Sequence, residues 1–144
     1  MAKRGKSNKL LDAAAMCEAL HPQKEAVIRD VLSRVTDKWS LWALSELTAA
    51  GPLRFSRLLE RVEGVSQKSL TATLRGLERD GLIRRTVTVQ VPIRVDYEAT
   101  RLGHKLIANF QPFWAWAVGR VADFTAAREK FDRDHAYRSE RKGH

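Results

Sequence analysis

Between Glu25 and Ala50 the apolar side chains return at helical spacing: Val27, Ile28, Val31, Leu32 and Val35, then Trp39, Trp42, Ala43 and Leu47. The pattern predicts two helices, with Trp39 and Trp42, three residues apart, both able to face the core. Thr36-Asp37 suits the end of one helix and the N-cap of the next, since an Asp side chain accepts from the free N–H groups of a first turn. Pro22 precedes the first helix, and Gly51-Pro52 stops the second. Over residues 53–63, Phe55, Leu58, Leu59 and Val62 make the i, i+3, i+4, i+7 set of a short amphipathic helix, which Gly64 ends. Ser66 then caps a fourth helix, predicted over 67–80, with a Leu70, Leu74, Leu77 stripe and Gly81 at its end. The link from Gly64 to Ser66 is short enough to make the third and fourth helices a helix-turn-helix.

The period then changes. Residues 82–89 are β-branched and partly alternating, Gln90-Val91-Pro92 makes a turn, and residues 93–98 form a second strand. Thr100 caps a long helix whose stripe is Leu102, Leu106, Phe110, Phe113, Ala117, Val121 and Phe124. Pro112 lies inside that helix and is expected to kink or divide it near Asn109–Gln111. The stripe is too long for a small domain to bury alone and calls for a partner helix. The fold class expected is mainly α with a small β-hairpin: a winged helix-turn-helix with a long C-terminal dimerisation helix. Its parts are a basic N-terminal tail and leading segment (1–24), a DNA-binding domain (25–100), a dimerisation helix (101–131) and a charged tail (132–144).

Charge sharpens this picture. The 144 residues carry a formal net charge of +9, which favours a polyanionic partner. Residues 54–94 hold nine basic groups against four acidic ones, and residues 1–9 hold four basic groups and no acidic one. A single cysteine, Cys17, excludes an intramolecular disulfide and a four-cysteine zinc site, in keeping with a reducing compartment. No run of 18 apolar residues exists to span a membrane, and Asp12 and Glu18 interrupt the apolar stretch that imitates a secretion signal. The expected location is the cytoplasm, and no membrane partner is expected.

Several blocks occur in an order and spacing that resemble the HxlR family of bacterial transcriptional regulators. They are Asp37-Lys38-Trp39-Ser40, Gly51 to Ser56, Gly64 to Thr71, Leu74 to Ile83, and Val95 to Glu98 with Leu102-Gly103, a resemblance covering roughly residues 26–118. It implies a homodimeric regulator on a pseudo-palindromic duplex operator. Several family members sense oxidants or aldehydes through a Cys-Pro pair thirteen residues before the Trp of the Lys-Trp motif. Here that position is Ala26, and Cys17 lies 22 residues before Trp39 without the proline, so the sensing chemistry does not carry over.

On a helical wheel, Lys68, Arg75 and Arg79 fall within about 40° of the direction opposite the leucine stripe, with Ala72 beside them and Thr71 on the flank. An apolar back with such a front suits a major groove: Arg pairs with guanine, and Thr or Ala meets a thymine methyl. Gln67 and Lys68 occupy the first turn, where recognition helices touch bases, and Ser66 caps an end that favours phosphate. Arg94 is the leading DNA contact of the hairpin. Of Arg84 and Arg85, one is expected to face the body, and pairing with Asp96 or Glu98 competes for all three. Arg54 and Arg57 are further phosphate candidates.

Phe110, Phe113, Trp114, Val121 and Phe124 are assigned to the dimer interface. Trp114 and Trp116 cannot share one helix face, so one is expected inward and the other at the interface or lining a pocket for an unidentified small-molecule effector. Asp132, Asp134 and His135 read as part of a solvated tail, not a metal cluster. No phosphate loop, metalloprotease motif or nucleophile elbow is present, so neither an enzyme nor a cofactor is expected. Two other classes stay open: a winged helix serving protein–protein interaction, and a small-molecule-binding protein without DNA function.

Overall fold

The computed structural model describes the backbone of residues 22–142 and the side chains of residues 22–136. Cys17 and the basic segment 1–9 lie outside the described residues. The chain divides into two compact units, the first ending at Gly103 and the second beginning at His104.

Helix α1 spans Pro22–Thr36 and α2 spans Lys38–Ala50. Asp37 caps α2 as its residue type requires: the carboxylate accepts from the Ser40 amide and the Ser40 hydroxyl, both at 2.9 Å. A short strand β1 (Leu53–Arg54) leads into α3 (Phe55–Arg61), and α4 follows at Gln67–Arg79. Ser66 caps α4 by accepting from the Ser69 amide at 3.0 Å. Gly81 ends it in the left-handed region at φ 72°, while the Leu82 amide reaches back to the Leu77 carbonyl at 2.9 Å.

The hairpin consists of β2 (Ile83–Thr88) and β3 (Arg94–Ala99). It is antiparallel, with Ile83 opposite Ala99 and Thr88 opposite Arg94. β1 was not expected. It pairs with the other edge of β3, Leu53 opposite Tyr97 and Arg54 opposite Asp96, giving a sheet of order β1-β3-β2. Two residues are too few to show a period, so only the long-range pairing reveals the strand.

The core of the first unit joins Ala43, Leu44 and Leu47 of α2, Leu58 of α3 with Val62 after it, and Leu70, Leu74 and Leu77 of α4, whereas α1 has no buried residue. Leu82 and Ile83 close it from the hairpin side. The α2 stripe departs from expectation. Ser40, Ala43, Leu44 and Leu47 are buried, so Trp42 is turned about 150° from the centre of the buried line and is 40% exposed. Trp39 is half-buried and stacks on Trp42 with ring centroids 6.3 Å apart.

Helix α5 spans Arg101–Val118 and α6 spans Val121–Lys142. Thr100 begins α5 as predicted, its hydroxyl accepting from the Gly103 amide at 3.2 Å and donating to the Gly81 carbonyl at 2.6 Å. The helix is not divided near Asn109–Gln111; it runs unbroken through Pro112. Proline removes one amide, but the rest of the hydrogen-bond ladder continues. The division falls instead at Gly119-Arg120, where the Arg120 amide bonds three residues back to Ala117 at 3.0 Å. Beyond it, α6 extends through most of the segment read as a charged tail.

Candidate nucleic-acid interface

Helix α4 separates its two faces cleanly. Leu70, Leu74 and Leu77 are buried, whereas Gln67, Lys68, Thr71, Ala72, Arg75 and Arg79 are exposed, as is the capping Ser66. The Thr71 hydroxyl donates to the Gln67 carbonyl at 2.8 Å, and the residue stays exposed. Among the described residues, Lys68, Arg75 and Arg79 take part in none of the ion pairs. Three cations without a carboxylate partner on one exposed face make a surface suited to a polyanion.

The helix is braced along its flank by a contact the sequence does not reveal. Arg34 of α1 lays its guanidinium against Gly76 and pairs with Asp80, the residue capping the C-terminus of α4; the two side chains are 25% and 13% exposed. A carboxylate at a helix C-terminus faces the negative end of the dipole, and Arg34 offsets that.

The hairpin arginines divide differently from the expected pattern. Neither Arg84 nor Arg85 faces the body: the strand is exposed from Arg84 outward, because only Ile83, at its base, reaches the core. Arg84 pairs with Glu98, its cross-strand neighbour, and Arg94 pairs with Asp96 at 2.8 Å. Both pairings that competed with DNA contact are therefore present, and Arg85 is the hairpin arginine outside the described ion pairs. The tip between the strands is apolar and fully open, Val89 at 93% and Val91 at 102% exposure.

Toward the turn end of β3, β1 and the start of α3 bring Arg54 and Arg57 together with Arg94 and Asp96 around a cleft of about 380 Å³. Arg57 also pairs with Glu60 at 3.1 Å on the open surface, an interaction worth little against solvent.

In the second unit, Phe110, Phe113, Trp114, Trp116 and Phe124 form a chain of ring contacts with centroids 5.5 to 6.4 Å apart. Phe110 is half-buried; Phe113, Trp114, Trp116, Val121 and Phe124 are exposed. The expectation that one of Trp114 and Trp116 packs inward fails, since both sides of this part of α5 are open. Among the described residues, no group of three His, Cys, Asp or Glu is placed to hold a metal ion, and no helix is long and apolar enough to cross a membrane.

A buried leucine stripe, a short turn, a polar basic helix and an adjoining hairpin define a winged helix-turn-helix regulator. The model of the HxlR-like helix-turn-helix family matches residues 34–123, and the chain belongs to that family. The uncharacterized HTH-type transcriptional regulator YtfH of Escherichia coli (strain K12) is 33% identical over 102 residues, covering 71% of this chain and 80% of YtfH. The solved structure of the regulator ytfH from Salmonella typhimurium is 35% identical with a TM-score of 0.63, covering 70% of this chain and 89% of that one. The quinone-bound structure of YodB from Bacillus subtilis is 29% identical with a TM-score of 0.55, covering 64% of this chain and 96% of YodB. The chain is thus a transcriptional regulator and not an enzyme.

Proposed function

We infer that the protein works in the cytoplasm as a homodimer on a pseudo-palindromic duplex operator, each subunit placing α4 in a major groove. The observation that carries this reading is the face of α4 formed by Gln67, Lys68, Thr71, Ala72, Arg75 and Arg79, exposed over a fully buried leucine stripe. Two such helices related by a two-fold axis would read half-sites about one helical turn, roughly 34 Å, apart. Dimerisation draws support from the open apolar side chains of α5 and α6, Phe113, Val121 and Phe124 among them, which together exceed what a small monomer leaves in water. The exposed Trp114 and Trp116 also offer flat faces to a planar effector, a reading supported by the quinone bound in the YodB structure.

The test is duplex binding as a function of salt, followed by base-pair preference. With about six to ten phosphates neutralised per dimer, affinity should fall about 10³- to 10⁵-fold between 50 and 200 mM salt. Arg75→Ala should cost about 1–3 kcal/mol on the operator and flatten preference at one base pair per half-site. Salt-independent binding, tighter binding to single strands, or an equal Arg75→Ala loss on every sequence would count against the assignment of α4.

A further inference from the structure

The three-stranded sheet, of order β1-β3-β2, has two edges that differ in kind. β1 is two residues long, too short to take up a further strand. β2 is six residues long, and among the described residues nothing pairs with its outer edge. Sheet edges are ordinarily guarded by charge, by proline or by a bulge. β2 carries charge only toward its base, in Arg84 and Arg85. From Thr86 to Val91 the chain reads Thr-Val-Thr-Val-Gln-Val, with no charge and no proline. All of these residues are exposed, Val87 at 44% and Val89 at 93%. High β-propensity without charge or proline is the composition of a segment that pairs with another strand.

We propose that the outer edge of β2 pairs antiparallel with the same edge of a second copy, joining two sheets through their wings. Charge and register select this occupant. A two-fold axis normal to the sheet keeps each side chain on its own face, so it can set Val87 opposite the partner's Val87 and Thr86 opposite the partner's Thr88. Both are favourable cross-strand pairs. Arg84 and Arg85 then lie opposite the partner's Gln90 and the partner's Val89, and no arginine faces an arginine. A parallel pairing in register would oppose like charges. An acidic peptide has a weaker claim on the edge, because Arg84 already pairs with Glu98.

The contact is small. A single six-residue strand falls short of the roughly 1,200 Å² of a stable interface, so the pairing acts between copies already held close together. In that respect the proposal rests on the duplex-binding reading above. Dimers on one duplex become linked wing to wing and load cooperatively.

The experiment uses the full chain in the Cys17→Ser background, with one cysteine introduced at a time and oxidised at high protein concentration. Directly opposed residues have Cα atoms about 4.5–5.5 Å apart, within disulfide reach, whereas diagonal neighbours at about 7–8 Å are beyond it. Val87→Cys should therefore cross-link at least about tenfold faster than Thr86→Cys or Val89→Cys, since only residue 87 meets itself. A mixture of Thr86→Cys and Thr88→Cys proteins should form the mixed disulfide in preference to either homodimer. Long duplex of mixed sequence should speed the Val87→Cys reaction. Val87→Lys, at an exposed position, supplies a second reading. Wild-type binding should be steeper on a duplex long enough for three dimers than on one long enough for a single dimer, and Val87→Lys should bind both with equal steepness. Thermal unfolding checks that each variant remains folded.

A Val87→Cys rate no higher than those at Thr86 and Val89 would overturn the pairing, because random collision has no register. Suppression of that cross-link by duplex would give the edge to DNA instead. A length dependence unchanged in Val87→Lys would overturn the link between DNA-bound dimers. Failure of the wild-type protein to bind any duplex would remove the duplex-binding reading, while the cross-link, measured on free protein, still decides the edge.

Discussion

Replacing Gly76 with alanine tests the brace between α1 and α4, because two effects of comparable size oppose each other. In a helix interior, Gly→Ala is ordinarily favourable by about 0.8–1 kcal/mol, since glycine loses more backbone freedom on folding. At Gly76, however, a Cβ would lie 2.3 Å from Nη1 and 3.1 Å from Cζ of Arg34. The guanidinium would have to leave, and with it the ion pair to Asp80. That pair is mostly shielded from solvent, so its loss falls between the under 1 kcal/mol of exposed pairs and the 3–5 kcal/mol of buried ones, about 2 kcal/mol. Asp80 would also be left at the negative end of the α4 dipole without its counter-charge. The net expectation for Gly76→Ala is a loss of about 1 kcal/mol. In the Arg34→Ala background nothing remains to collide with, and the same substitution should stabilise by about 1 kcal/mol. Urea denaturation of the four proteins at one fixed concentration reads both values, the fixed concentration being needed for any protein that self-associates. A stabilising Gly76→Ala in the wild-type chain, or the same sign in both backgrounds, would refute the reasoning.

Three further outcomes are expected. Gly103→Ala should destabilise by about 1–3 kcal/mol in the same assay, because its Cβ would lie 2.2 Å from the Leu82 carbonyl oxygen, a backbone atom that cannot swing aside. Phe113→Glu or Val121→Glu should weaken self-association in analytical ultracentrifugation at micromolar protein, and a well-folded wild-type monomer at that concentration would oppose the dimer. Cys17→Ser should leave DNA affinity and its response to peroxide or aldehyde unchanged in a binding assay; release by oxidant in the wild type but not in the variant would mark Cys17 as a sensor.

The elements that were legible in the sequence depend on neighbours within about four residues. Asp37 and Ser66 cap their helices because a short side chain can reach the amide three positions on, wherever the helix lies. Gly81 ends α4 with a positive φ that glycine adopts without a Cβ penalty, and the Leu70, Leu74, Leu77 spacing places three leucines on one side by helix geometry alone. From these rules the order of helices, the hairpin, and the outward face with Lys68, Arg75 and Arg79 could be read directly. Tertiary structure decided what depends on partners distant in sequence. It made a strand of Leu53–Arg54 by pairing it with β3, and gave Arg84 and Arg94 to Glu98 and Asp96. It also set Arg34 against Gly76, 42 positions along the chain. Periodicity carries none of this, because a charged side chain's partner is chosen by which strands and helices lie side by side. The same reason accounts for Trp42: its place in the helical pattern was visible, but how far the buried face extends around α2 is decided by what packs against it.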